Sequence, residues 1–251
     1  NFAMNFLRSN IGIDSPALLS SPFIIVTVAY FGHKKDYDLS PSEERQLRYW
    51  ILVANAKARY SRGSSETFLD QDLATLRKGG DIGSLINLLR TQVGRLTILP
   101  DDLENRNSRS AYFKTMFLAF RQDNAMDWRD QLIISIKHAG PQHSLQFHHI
   151  FPQDLLKKAN QPQMLIHDIC NLAFISGTTN KKISNKDPAA YLPELVKKIG
   201  TEALDKQCIP NDAKLWKMEN YTEFLKARRA QVAARLNNFL GHEYVEKNAA
   251  A

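Results

Sequence analysis

Cysteine is nearly missing from this 251-residue chain, which has only Cys170 and Cys208. Two thiols cannot build a disulfide scaffold, and without a Cys-x-x-Cys pair the usual structural zinc site is excluded. Both are expected to be reduced thiols in the core of a cytoplasmic protein. Long apolar runs are also missing. The longest, Phe23 to Phe31, falls well short of the roughly 20 residues that cross a bilayer. No signal-peptide pattern opens the chain, which begins at Asn1, ends in Asn-Ala-Ala-Ala, and is expected to be a piece of a longer protein. There is no repeat of fixed period and no long low-complexity linker. Acidic residues are outnumbered, 26 against 33 Lys and Arg, giving a formal charge of +7 and a pI near 9.3. That excess suits a polyanionic partner and carries no information about the fold; an ordinary basic soluble protein would have it too.

What is present is mostly helix-forming. Hydrophobic residues at 43% and charged residues at 24% are ordinary for a globular protein. The length allows one large domain or two small ones. Residues 1–35 read as apolar helix broken at Gly12 and Pro16. Ser40-Pro41-Ser42-Glu43 has a serine cap, proline at the first helical position and a glutamate placed for a capping box. The helix that follows carries Leu47, Trp50, Ile51, Ala54 and Ala58 at three- and four-residue spacing, which predicts one buried face. Amphipathic helices are also expected over Leu69–Leu76, Ile82–Arg90, Tyr112–Phe120, Ala189–Ile199 and Tyr221–Leu240. The aromatic stripe from Tyr112 to Phe120 reads as core and Arg106 and Arg109 as solvated. Gly140-Pro141 marks a boundary.

The stretch with the most chemistry lies beyond that boundary. Leu145 to Ile150 is a short β-like run ending in His148-His149, and Pro152 stops it, having no N–H for a ladder. Asn171-Leu172-Ala173-Phe174-Ile175-Ser176 is a second strand. It is closed by Gly177 and followed by a lysine-rich helix expected to begin at Thr178 or Thr179. Phosphodiester hydrolysis needs an activated water, charge neutralisation on the phosphate, and a partner for the leaving oxygen. A neutral imidazole can take the proton from water, and a divalent cation can hold the phosphoryl and leaving oxygens. One histidine as base, with one histidine and one asparagine as ligands, would suffice. Adjacent strand residues face opposite ways, so His148 and His149 are expected to do different jobs. His33, His138, His143, His167 and His242 lack such a context, although His143 and His167 lie near enough in sequence to support the site.

Strand, loop, strand and helix, with Phe147-His148-His149-Ile150-Phe151-Pro152, then Asn171-Leu172, then Thr179-Asn180-Lys181-Lys182, resembles the ββα-metal (His-Me finger) site of HNH nucleases. With Pro188 and Tyr191-Leu192 added, the stretch from 147 to 192 resembles the C-terminal part of the GmrSD-like type IV, modification-dependent restriction proteins. The Arg59-Tyr60-Ser61 and Ser65-Glu66-Thr67 stretches are similar to the region linking that family's two catalytic parts. The resemblance implies that His149 is the general base and that Asn171 braces the loop carrying it. It also implies that His148 and Asn180 hold one divalent metal ion. Lys181, Lys182 and Lys186 lie close enough in sequence to contribute contacts to DNA phosphates, a role the motif itself assigns to none of them. Mg²⁺ or Mn²⁺ is the expected ion. Histidine at 148, where many members have an acidic residue, turns the preference toward Mn²⁺, Ni²⁺ or Zn²⁺.

The implied architecture is a mainly α, bundle-like helical scaffold with an inserted ββα module. Residues 1–142 would be a helical or linker region, 143–192 the nuclease module, and 193–251 a C-terminal helical segment packing on the scaffold. The implied function is metal-dependent nicking or cleavage of DNA, such as phage or modified DNA, in an anti-phage restriction system. The family's N-terminal ParB-like nucleotidase half would be its partner. A DNA-binding or assembly module with a degenerate site is the alternative.

Overall fold

The computed structural model describes residues 1–135 and 145–241. The Gly140-Pro141 boundary and His138, His143 and His242 lie outside the described residues. Among the described residues the chain is mainly helical with one two-stranded sheet, in the order α1 (Phe2–Phe6), α2 (Phe23–Lys34), α3 (Pro41–Ala56), α4 (Ser65–Arg77), α5 (Ile82–Val93), α6 (Ala111–Gln122), β1 (Leu145–His149), α7 (Gln153–Lys158), α8 (Gln163–Ile166), β2 (Leu172–Ser176), α9 (Gly177–Ile183), α10 (Pro188–Ile199), α11 (Glu202–Asp205) and α12 (Tyr221–Leu240). It divides into two compact units. The first comprises Asn1–Ile98, Ser110–Leu118 and the described residues from Leu236; the second comprises Leu99–Arg109 and Ala119–Arg235.

The first unit is built around α3. Its start is fixed by the capping box: Glu43 N–H donates to Ser40 Oγ at 3.3 Å, and Ser40 N–H donates back to Glu43 Oε2 at 2.9 Å. The apolar spacing predicts one buried face. From Leu47 to Ala56, however, only Arg48 escapes full burial, because Tyr49, Leu52 and Val53 fill the remaining faces. A helix apolar all round belongs inside its unit, and α2 and α5 pack against this one. Ala58 lies past the helix end, at φ +55°. Just beyond that end, Arg59 and Asp72 form a fully buried pair. Arg59 Nε and Nη2 donate to the two Asp72 oxygens at 3.1 and 2.6 Å, Nη1 donates to Gln92, and Tyr60 Oη donates to Asp72 at 2.5 Å.

The second unit contains the sheet. β1 and β2 pair antiparallel, with His148 opposite Ala173 and His149 opposite Leu172. An isolated hairpin is marginal in water, and here the surroundings support it. Phe174 packs edge-on to Phe120, with ring centroids 6.0 Å apart. On the other edge of β2, Gln207 takes the place of a third strand. Its amide accepts from Phe174 N–H at 2.8 Å and donates to Phe174 C=O at 2.9 Å. The buried ladder groups are thereby satisfied without a further strand. Cys170 and Cys208 are buried free thiols, and burial pushes the Cys170 thiol up to about 12. The Arg228 guanidinium on α12, fully buried, donates to the carbonyl oxygens of Cys170, Gln207 and Cys208 at 2.8–3.1 Å. Among the described residues no helix is long and apolar enough to cross a membrane.

Candidate functional site

Three local devices shape the site, all in the second unit. The first is the turn from β2 into α9. The lysine-rich helix begins one residue earlier than the sequence suggests: Ser176 is the cap, its Oγ accepting from Thr179 N–H at 3.2 Å, and Gly177 is the first helical residue rather than the end of the strand. Serine is a preferred cap, and Asp127 secures the turn from outside. Its carboxylate accepts from Ser176 N–H at 2.6 Å and Thr179 Oγ1 at 2.7 Å, and from Arg129 and Asp130 N–H. Burial works to raise the Asp127 carboxyl, but these donors outweigh it and hold it below the usual carboxylate value. Asp127 carried no signal in the sequence, since the two partners that tie it to this turn lie about fifty residues away.

The second device is the loop after His149. Asn171, fully buried, accepts from Phe151 N–H at 2.9 Å and donates to the carbonyls of Phe151 and Ile166, both at 3.1 Å. Ile150 N–H adds a bond to Asn171 C=O at 2.8 Å. The third is α10. Asp187 caps it, Pro188 is its first residue, and its buried side carries Pro188, Tyr191 and Leu192. Tyr191 Oη thereby reaches back to donate to Ile150 C=O at 3.0 Å.

These elements bring His148, His149, Asn180 and Lys181 together on one cleft of about 540 Å³, which Gln153 and Asp154 also line. His148 is 3% exposed. Its Nδ1 lies 2.8 Å from Asn180 Oδ1, and its Nε2 lies 3.4 Å from Tyr191 Oη. Trp128 and Tyr191 meet its ring edge-on at 6.0 and 5.9 Å. His149 is half-buried, with Nδ1 3.3 Å from the Gln153 amide, while its buried Nε2 has no protein partner. His167 is exposed, and its ring lies 5.5 Å from that of His149. Both site imidazoles are pushed down to about 4. Burial is the main cause for each; for His149 the charges of His167, His148 and Lys157 add to it, and for His148 Asn180 pulls the other way. Both are therefore neutral at pH 7, the state in which an imidazole can accept a proton or ligate a metal.

The three lysines part company. Lys181 faces the cleft, whereas Lys182 and Lys186 line a separate pocket of about 140 Å³ with Trp128, Tyr191 and Leu195. Asn171 stands outside the cleft lining, acting on the backbone of the His149 loop. Tyr191 belonged to the stretch that showed the resemblance but had no role there. Its place on the first turn of a proline-started helix was readable; the reach to Ile150 was not.

A short antiparallel hairpin feeding a helix, with paired histidines on the first strand and an asparagine on the helix, defines a ββα site. A family model described as "GmrSD restriction endonucleases, C-terminal domain" matches residues 95–240, and the chain belongs to that family. It is also similar to "Uncharacterized protein MJ0686" of Methanocaldococcus jannaschii, 25% identical over 182 residues, covering 70% of this chain and 29% of that protein. The chain thus spans less than a third of this curated relative. No solved structure matches.

Proposed function

We propose that this chain is the nuclease part of a restriction protein, a metal-dependent HNH-type endonuclease that nicks or cleaves DNA. One observation carries the reading: two atoms of metal-ligating type, His148 Nδ1 and Asn180 Oδ1, converge to 2.8 Å in the cleft that also holds neutral His149. The donor set fits a divalent cation. Ligands at about 2.0–2.2 Å from an octahedral ion stand roughly 3 Å apart along an edge, close to the separation here. Among the described residues no group of three His, Cys, Asp or Glu side chains could hold a metal. A two-ligand site of this kind leaves positions for phosphate and water. Its imidazole nitrogen favours Mn²⁺, Ni²⁺ or Zn²⁺ over Mg²⁺.

Bound between His148 and Asn180, the ion would polarise a phosphoryl oxygen and stabilise the leaving 3′ oxygen. The chain's own residues do the rest. His149 takes the proton of the attacking water. An imidazole near 4 is a weak base, but the negative charge of a bound phosphate favours its protonated form and moves it toward neutrality. Asn171 holds the backbone that carries His149. Lys181 meets the phosphate at the cleft, and Lys182 and Lys186 meet flanking phosphates outside it. The formal charge of +7 supports a DNA substrate. A family described as the C-terminal domain of restriction endonucleases supports DNA as the target; modified or foreign DNA, and a nucleotidase half as partner, extend that reading from the resemblance alone.

The test is plasmid cleavage by the wild type and by His149→Ala in EDTA, Mg²⁺, Mn²⁺ or Ni²⁺. Metal-dependent nicking that disappears in the variant is the expected result. Cleavage that persists in His149→Ala removes the base assignment. Silence with every metal, repeated in the full-length protein with nucleotide, leaves a DNA-binding or assembly module instead.

A further inference from the structure

We propose that Tyr191 is a positioning residue that fixes the tautomer of His148, keeping its proton on Nε2 so that Nδ1 offers a bare lone pair beside Asn180. The proposal rests on the reading of His148 as a cation ligand and adds how the ligand is prepared. A neutral imidazole has one N–H, and the partner of one nitrogen decides the state of the other. The tyrosine hydroxyl also has a single proton. That proton is committed, because Tyr191 Oη lies 3.0 Å from the Ile150 carbonyl, which can only accept. The hydroxyl therefore turns a lone pair toward His148 Nε2, 3.4 Å away. The contact is long, so it adds little strength, but only an N–H at Nε2 is compatible with it. A bare Nε2 would set lone pair against lone pair in a site where both residues are buried.

With the proton on Nε2, Nδ1 is bare and faces the Asn180 side chain at 2.8 Å. Two acceptors that close repel each other unless a cation lies between them. In the metal-free protein the Asn180 amide can turn and donate its N–H to Nδ1, and cation binding turns it back. The ring cannot exchange its two nitrogens freely, since Trp128 and Tyr191 hold it edge-on from two sides. The relay from imidazole N–H through a hydroxyl to a backbone carbonyl does the work that a carboxylate or carbonyl does directly behind many metal-binding histidines. The carbonyl it ends on belongs to Ile150, in the loop that Asn171 braces and immediately after His149. One hydroxyl thus touches the ligand and the loop of the base.

The experiment reads the tautomer directly. Long-range ¹H–¹⁵N spectra of the histidine rings are recorded at pH 7.5 on the metal-free chain, wild type and Tyr191→Phe, followed by Mn²⁺ titration of both. The wild type is expected to show His148 protonated at Nε2. Tyr191→Phe, which keeps the ring and loses only the hydroxyl, is expected to show a mixture and about 10-fold weaker Mn²⁺ binding, the low end of the range for residues behind a metal ligand. Protonation at Nδ1 in the wild type overturns the proposal, and so does an unchanged tautomer in the variant. The Nε2–H form in a wild type that binds no Mn²⁺ supports the role of Tyr191 and removes the cation-site reading. If Tyr191→Phe does not fold, the wild-type spectrum alone decides.

Discussion

Each unit encloses a cluster of buried polar side chains, and the two clusters end differently. In the first unit Arg59, Asp72 and Tyr60 close on one another. The three guanidinium nitrogens of Arg59 have acceptors, both Asp72 oxygens have donors, and neither charged side chain meets solvent. In the second unit His148, Asn180 and Tyr191 run out to the wall of a cleft, beside a His149 nitrogen with no protein partner. Residue type does not separate the two, since both contain groups that are costly to bury. Closure does. A cluster whose members satisfy one another holds a fold, and one that reaches a cleft with a buried polar atom left unpartnered beside it is built for something that arrives.

Breaking the open cluster is expected to change rate and leave stability alone. His149→Ala should lower metal-dependent nicking by about 10²–10⁴-fold, the usual worth of a general base. Its unfolding midpoint should stay near that of the wild type, because the deleted ring has an unpaired buried nitrogen. A large loss of stability would make His149 a scaffold residue. Breaking the closed cluster should do the reverse. Asp72→Ala leaves the Arg59 guanidinium buried without its anion, at a cost of about 3–5 kcal/mol. Denaturant unfolding measures that cost, and nicking per folded molecule should be unchanged. A cost below about 1 kcal/mol would mean that the pair is not closed.

Asn171→Ala tests the boundary between the two kinds. It removes the bonds to Phe151 N–H and C=O, which should cost about 1–3 kcal/mol and also slow nicking by the folded protein, because the loop that carries His149 is loosened. If only one of the two readouts moves, Asn171 belongs to one class.

Acid should separate the units by pH window. His148 and His149 are depressed from about 6.5 to about 4 in the folded state. Between those values the unfolded chain binds more protons, so stability rises with pH across the window and is lost as pH falls from about 6.5 through about 4. Glu43 is held down to about 2 by Lys35 first and then by Ser40, so its contribution is lost between about 4.5 and about 2. Being part of a partly exposed surface pair with Lys35, it is expected to contribute under about 1 kcal/mol. Denaturant midpoints of the metal-free chain against pH should show both windows, the upper flattened in His149→Ala and the lower in Glu43→Gln.

The sequence revealed most where the structure is local. Caps at Ser40 and Asp187 fall where the residues place them. His148, His149 and Asn180 were legible because hairpin and helix follow one another within about thirty-five residues. Burial all round α3 was not, since three- and four-residue spacing marks one face and says nothing of Tyr49, Leu52 and Val53 on the others. Asp127, Gln207 and the hydroxyl of Tyr191 were invisible for a different reason. Each is an ordinary polar residue whose role comes from a partner thirty or more positions away, a distance no local pattern spans. Lys182 and Lys186 looked equivalent to Lys181 by proximity, and helical geometry sent them to another pocket.

The Arg228 guanidinium bears on how such a site could travel between proteins. It sits on the last helix and grips three carbonyls, one of them next to Asn171 and two in the segment that supplies Gln207 to β2. A transplant of the hairpin and its short helix alone would leave those carbonyls, and the open edge of β2, behind. The smallest heritable piece of this site is therefore a run reaching to α12, long enough that recombination within it would break the site rather than exchange it.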